Sequence, residues 1–417
     1  MHWALLAALR QRGRQVQVFR DQAHFATESI SHRVCGQSPR YLDSWLMSPS
    51  LCRETFAQGM SSADFGLVVG HYDRSSDSTN RNRATLDPLC DWLDIPRIAV
   101  VDVSQADGCR IPYCPPEAAG VLLDCVPRGK FIELQTVYES LWRVPVLGGL
   151  PELPELRAAI HRTEEGQNSS CDLCEQLGKY LAVTLRWNRL AELSNRPGAC
   201  SVPKIFQPGE KLKGLRIAVA FDEAIHQYFP EVLELLELQG AVVQDFSLLR
   251  DQSLPADTDV VYLGGGEPEK FAASLAENQC LTLALRDHVR QGRRIYAEGA
   301  GAALLCHHLQ LPDGQQLPML GVLPAIAKLN PVGRCDLPDE LSLAEDHWLG
   351  NAGSVLRGYR NDRWQLDFTD SLIPLAWSGN QPQLYAWQQV VASLLHINFA
   401  VQPGFLQRFS RSGAATF

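Results

Sequence analysis

No stretch of the 417 residues approaches the roughly 18 apolar residues of a membrane span. The opening Met1-His2-Trp3-Ala4-Leu5-Leu6 also has no basic segment ahead of its short apolar run. A transmembrane helix is excluded, a secretory signal is not expected, and the expected compartment is the cytoplasm. Positive charge is scarce as well. Lys+Arg is 38 against Asp+Glu 47, a formal net charge of −9, so the chain offers no cationic footprint to phosphate backbones or anionic lipid. Neither nucleic acid nor a membrane surface is an expected partner. The dense even cysteine set of a small secreted scaffold is missing too: the 12 cysteines are spread along a long chain and read as mostly free, buried thiols. No internal repeat or low-complexity tract occurs. What remains is ordinary globular composition, 45% hydrophobic and 20% charged, in a chain whose length suggests two domains at about 100–200 residues each.

Both halves alternate short Val- and Ile-rich runs with helical stretches, the pattern of parallel α/β sheets buried on both faces. The first half predicts a helix at Leu5–Arg12 and strands at Gln15–Phe19, Gly66–Tyr72, Arg97–Asp102, Gly120–Asp124 and Val144–Leu147, closed by one long helix from Cys171 to about Leu193. A Pro/Gly-rich, aperiodic run from Arg196 to Lys211 marks the boundary, giving domains 1–205 and 212–417. The second half predicts strands at Leu215–Phe221, Ala241–Phe246, Asp259–Leu263 and Arg294–Ala297. Helices are expected at Glu231–Leu238, twice between Gly266 and Arg294, and at Ala302–Leu309.

Three segments of the second half could carry chemistry. Val260-Val261-Tyr262-Leu263 runs into Gly264-Gly265-Gly266, a strand whose glycine end lets backbone N–H groups approach a ligand and stabilise an oxyanion. Arg294-Ile295-Tyr296-Ala297-Glu298-Gly299-Ala300-Gly301-Ala302 has the strand, tight turn and helix of a nucleophile elbow. Near the C-terminus, Ser393-Leu394-Leu395-His396-Ile397-Asn398 places a His at the end of an apolar run.

Glycine loop, elbow and late His, in this order, resemble a class I glutamine amidotransferase domain, and more closely the amidotransferase half of the cobyrinate a,c-diamide synthase family. Arg216-Ile217-Ala218-Val219-Ala220, Asp222, Tyr228-Phe229-Pro230-Glu231, Gly240-Ala241, Phe246–Asp251 and Leu254-Pro255 continue the resemblance. The first half carries it through Ala8–Gly13, Val16–Arg20, Tyr41–Met47, Val68, Gly70, Tyr72, Asp73, Pro96–Asp102 and Gly120–Leu123. The resemblance implies a P-loop (dethiobiotin-synthetase-like) domain followed by a flavodoxin-like class I amidotransferase domain. It implies ATP, Mg²⁺ and glutamine as reactants, a tetrapyrrole carboxylate as acceptor, and Asp222 and Tyr228 facing substrate.

Against that pattern, the residues the chemistry needs are replaced. A thiolate must attack the glutamine amide and leave a thioester, and Gly299 stands where the family has that Cys. His396 keeps the position of the base. Cys306, expected two turns along the following helix, would face another way. No G-x-x-x-x-G-K-[ST] occurs in the 417 residues, and a start set too far downstream would account for that loop alone. The family's Gly-Pro-Asp-Tyr-Ile-Asp-Pro reads Gln22–Glu28, and its Glu-Gly-Val-Met-Gly-Leu-Phe-Asp-Gly reads Gly66–Arg74. Its Arg-Gly-His-Glu-Phe-His reads Arg357–Asp362. ATP and Mg²⁺ binding by this chain are therefore doubtful, and no metal ligand set is expected.

The expectation is a pseudoenzyme: a binding or regulatory protein that keeps a cobyrinate-like ligand cleft or pairs with an active paralogue or a second copy. The alternative is a divergent, active ATP-dependent amidoligase that uses ammonia, with a mis-set start that removed the P-loop. Of the smaller features, Cys171-Asp172-Leu173-Cys174 could be a redox pair but lacks a thioredoxin context. Adjacent His307 and His308 on a helix would point apart, and Asn168-Ser169-Ser170 is a glycosylation sequon of no consequence without secretion.

Overall fold

Met1–Ser78 with Ala84–Pro203 form one unit, and Lys204–Phe417 form a second. The structure is a computed structural model that describes residues 1–23, 37–70, 85–104, 106, 111–164, 171–194, 204–330, 336–369, 372, 374–401 and 404–409. The expectations placed on residues 24–28, 71–74, 168–170 and 196–203 lie outside that set.

The first unit opens with the helix His2–Gln11, in which Trp3 through Leu9 are all buried. That continuous burial needs a partner on more than one side. One is the helix Cys171–Thr184, packed so closely that a Cβ at Gly178 would lie 2.8 Å from the Ala7 Cβ. Beneath them lie six parallel strands in two sheets: Val16–Arg20 between Arg40–Tyr41 and Phe65–Val69, and Ala118–Val126 between Arg97–Asp102 and Val146–Pro151. The single long helix expected from Cys171 to Leu193 is two, Cys171–Thr184 and Trp187–Ser194. The break has a visible cause. Thr184 Oγ1 bonds both the N–H and the C=O of Gly149, and Arg186 donates its backbone N–H to Leu147 O and its guanidinium to Glu139. Together they pin the turn to the strand Val146–Pro151.

A fully buried carboxylate sits in this unit. Asp43 Oδ1 accepts the backbone N–H groups of Trp45 and Leu46, while Oδ2 has no partner among the described residues. Burial raises its pKa to about 7 from the ordinary 3.8; the Trp45 and Leu46 bonds act against the rise and the Asp21 charge adds to it. The folded chain thus holds this proton more tightly than the unfolded chain. The resulting stabilisation is complete below about pH 4 and is lost as pH rises to about 7. Chemical denaturation of the first unit is expected to need less denaturant at about pH 7.5 than at about pH 5, a loss of a few kcal/mol at most. Asp43→Asn keeps the Oδ1 acceptor and should flatten that dependence. An unchanged slope in the variant would assign it to other groups.

The second unit is built on a ten-stranded sheet. Its parallel part runs Val390–Ser393, Arg294–Glu298, Val260–Leu263, Arg216–Ala220 and Val242–Phe246. The remaining strands, Gln381–Trp387, Pro374–Ser378, Asp336–Leu343, Val355–Asn361 and Leu395–Ile397, continue it antiparallel and bring the C-terminal segment back against the elbow. The helix expected at Ala302–Leu309 is a correction: the helix is only Ala300–Leu304, and Cys306–Gln310 is a strand paired with Leu323–Leu329. The apolar run Ala302–Leu305 fits a helix, but two carbonyls just beyond it are taken by outside donors, since Leu305 O accepts from Val322 and Leu323 and Cys306 O accepts from Gly321. His307 and His308 therefore alternate across a strand. No helix of the described residues is long and apolar enough to cross a membrane.

Candidate functional site

The parallel strands Val260–Leu263 and Arg294–Glu298 lie side by side, with Tyr262 opposite Tyr296 and Leu263 opposite Ala297. The glycine loop and the elbow therefore leave the sheet at the same end, the carboxyl end where α/β sheets bind ligands. The strand Leu395–Ile397 brings in His396 from the antiparallel side.

Gly299 is the hinge between the Arg294–Glu298 strand and the five-residue helix Ala300–Leu304, with φ 51° and ψ −109°. Its N–H donates to Ser393 O at 2.7 Å, which fixes the turn to the neighbouring strand. A Cβ built there would lie 2.5 Å from His396 Nε2 and 2.9 Å from its Cε1. The imidazole thus stands in the space that a side chain at 299 would need. It also crowds Gly265, whose Cβ would meet His396 Cε1 at 2.5 Å. Three predicted positions, Gly299, His396 and Gly265, are brought into one cluster, closed over by contact between them.

His396 is 2% exposed and its Nδ1 faces Glu298 Oε2 at 3.5 Å. Glu298 is 1% exposed and accepts from three donors: Tyr296 OH at 2.6 Å, Ile397 N–H at 2.9 Å and Tyr262 OH at 3.1 Å. Burial and the Glu298 charge push both phenols well above their ordinary range, so they remain donors to the carboxylate. Neither tyrosine stood among the sequence candidates. The signal was present, since a carboxylate closing a strand that is otherwise apolar must find donors on the neighbouring strand.

The remaining candidates hold the loop in place. Tyr228, 5% exposed, donates its hydroxyl to Ala220 O at 2.5 Å and accepts the Gly264 N–H at 2.9 Å. The Gly264 N–H is therefore engaged by protein. The Gly264 carbonyl in turn accepts the Gly301 N–H at 2.9 Å. Gly265 and Gly266 pair antiparallel with Gln227 and Ile225. Asp222 takes four protein donors: Ala224 and Ile225 N–H on Oδ1, and Ser247 Oγ and Leu249 N–H on Oδ2. Both residues, assigned to substrate by the resemblance, are occupied with tying the 220–228 segment to its neighbours.

Cys306 is buried on its strand with Sγ 3.6 Å from Ala302 O, and burial pushes its thiol far up. It stays protonated and cannot stand in for the missing nucleophile. Cys174 is buried inside its helix. Tyr359, which replaces the His of the family's Arg-Gly-His-Glu, is fully buried and pairs across strands with His396. Among the described residues no group of three or more His, Cys, Asp or Glu stands together as a metal site.

Residues 216–366 match the model of the CobB/CobQ-like glutamine amidotransferase domain. The chain is 29% identical to the cobyrinate a,c-diamide synthase of Syntrophotalea carbinolica, over 97% of this chain and 93% of that protein. It is 26% identical to the protein of that name from Leptospira interrogans, over 98% and 94%. For the Listeria innocua protein of that name the identity is 28%, over 98% and 95%.

Proposed function

From membership of the cobyrinate a,c-diamide synthase family, to which this chain belongs, we propose that it is a member that has lost the glutamine-hydrolysing half of the family's reaction. One observation carries this reading. At the elbow there is no side chain, and the imidazole that would serve as its base lies within 2.5 Å of the position its first carbon would take. Thioester chemistry needs a thiolate at that point, a base beside it and room for a glutamine amide. Gly299 supplies none of the first, and the buried contacts of His396 with Gly265 and Gly299 leave none of the last.

The family uses ATP and Mg²⁺ to activate tetrapyrrole carboxylates. In this chain no sequence of the G-x-x-x-x-G-K-[ST] type supports nucleotide binding. The role left to such a protein is binding: a cobyrinate-like tetrapyrrole, an active paralogue or a second copy, in the cytoplasm.

Ammonia release from glutamine by the purified chain is expected to stay at the level of the buffer control, with or without Mg-ATP and cobyrinate. Calorimetric titration separates the remaining terms: heat with cobyrinate and none with Mg-ATP fits the binding role. Tight Mg-ATP binding, or glutamine turnover, would overturn it.

A further inference from the structure

The helix Phe131–Trp142 of the first unit is apolar on two sides, and its own unit covers one of them. Inward, Phe131, Leu134, Tyr138 and Trp142, spaced i, i+3, i+7 and i+11, pack on the side of the sheet formed by Val101, Leu123 and Val146. Tyr138 is the helix's one buried residue and stacks on Trp142 with ring centroids 4.4 Å apart. Outward, Ile132 is 69% exposed, Val137 52% and Leu141 47%. An amphipathic helix turns charge to the solvent, whereas a helix apolar all round is one that is covered all round. This helix carries only two charged residues, Glu133 and Glu139, and Glu139 is taken by the Val146 N–H and Arg186.

The outward side is shaped to receive another helix. Ile132, Thr136 and Ser140 make one i, i+4 ridge and Glu133, Val137 and Leu141 the next, with a groove between them. Thr136 and Ser140 are small, so a second backbone can come close. The Thr136 hydroxyl already donates to Ile132 O at 2.9 Å, and covering it strands no donor.

The charges at the two ends select the occupant. Glu133 stands in the first turn, and its bond to Lys130 joins two side chains that are both more than half exposed, a weak tie in water. Arg143 closes the helix at φ 55°, is exposed, and its guanidinium takes no partner among the described residues. Glu133 and Arg143 each lie five residues from position 138, on opposite sides of it. Two copies of this helix, crossed antiparallel on a two-fold axis at that level, set each Glu133 beside the Arg143 of the other copy and bring the two Val137 side chains together at the crossing. We infer that the outward face of Phe131–Trp142 is the contact between two copies of this chain, an isologous helix pair. The face belongs to the first unit and adds nothing at Gly299, so the inference stands whether or not glutamine hydrolysis is lost.

Sedimentation equilibrium of the 417-residue chain tests it. The wild type should pass from monomer to dimer in the range of roughly tens of micromolar, because a face one helix wide is small beside the roughly 1,200–2,000 Å² of a standard interface. Val137→Glu places two carboxylates at the axis and should raise the dissociation constant more than about tenfold. Glu133→Arg and Arg143→Glu each set like charges together twice and should raise it on the order of tenfold, while the double variant should return to within about threefold of the wild type. All three side chains are exposed, so circular dichroism and the melting of dilute samples should match the wild type, which separates a lost contact from a lost fold. Three results would overturn the inference: a wild type that stays monomeric at several hundred micromolar, a dimer that Val137→Glu leaves intact, or a double variant that associates no better than either single one.

Discussion

Gly299→Cys is expected to lower the melting temperature of the second unit and to leave glutamine hydrolysis undetectable. Two costs add. With φ at 51° and ψ at −109°, residue 299 occupies a backbone region that costs a non-glycine residue about 1–3 kcal/mol. The new Cβ would also meet His396 Nε2 at 2.5 Å, and pushing a packed ring aside costs a further 1–3 kcal/mol or so. Together, about 2–6 kcal/mol corresponds to a fall on the order of 5–20 °C for a unit of this size. The double variant Gly299→Cys with His396→Ala should recover the second cost and keep the first, melting between the wild type and the single variant. Scanning calorimetry decides the matter. A single variant that melts at or above the wild type would remove the strain argument, and ammonia release from it would show that the base and the oxyanion loop are still poised for catalysis.

Much of this geometry was legible in the sequence, and the part that was not has a common cause. The strands Val260–Leu263 and Arg294–Glu298 announce themselves as apolar runs stopped by glycines, and the loop, the elbow and His396 follow from them. These are local signals. Cys306 was misplaced because Ala302–Leu309 has a helical composition, while the donors that end the helix, Gly321 to Leu323, lie more than a dozen residues downstream. The tasks of Tyr228 and Asp222 depend on Gly264, 36 residues away, and on Ser247, 25 residues away. The antiparallel extension from Asp336 to Ile397 and the break in the first unit's sheet are matters of strand order, which periodicity does not carry.

Glu298→Ala is expected to be more damaging than the loss of any other single group in the cluster, although Glu298 touches no substrate in the proposed function. The carboxylate is 1% exposed and satisfies two phenols and the Ile397 N–H. Truncation leaves those three buried donors without an acceptor, at about 1–3 kcal/mol each, and opens a cavity beside His396. Because neighbouring losses do not add fully, the net expectation is about 3–6 kcal/mol, a fall in melting temperature on the order of 10 °C or more. Replacing acceptor and donors together should cost less than replacing the acceptor alone. Glu298→Leu with Tyr262→Phe and Tyr296→Phe leaves only the Ile397 N–H exposed to the loss, and should melt well above Glu298→Ala. If instead Glu298→Ala unfolds within about 1 kcal/mol of the wild type, the carboxylate is dispensable and the network is weak. The expected order gives His396 and Glu298 a structural task beside Gly299. Glu298 ties the elbow strand to Tyr262 on one side and to the His396 strand on the other, so in the proposed function the pair is kept by the demands of the fold and not by thioester chemistry.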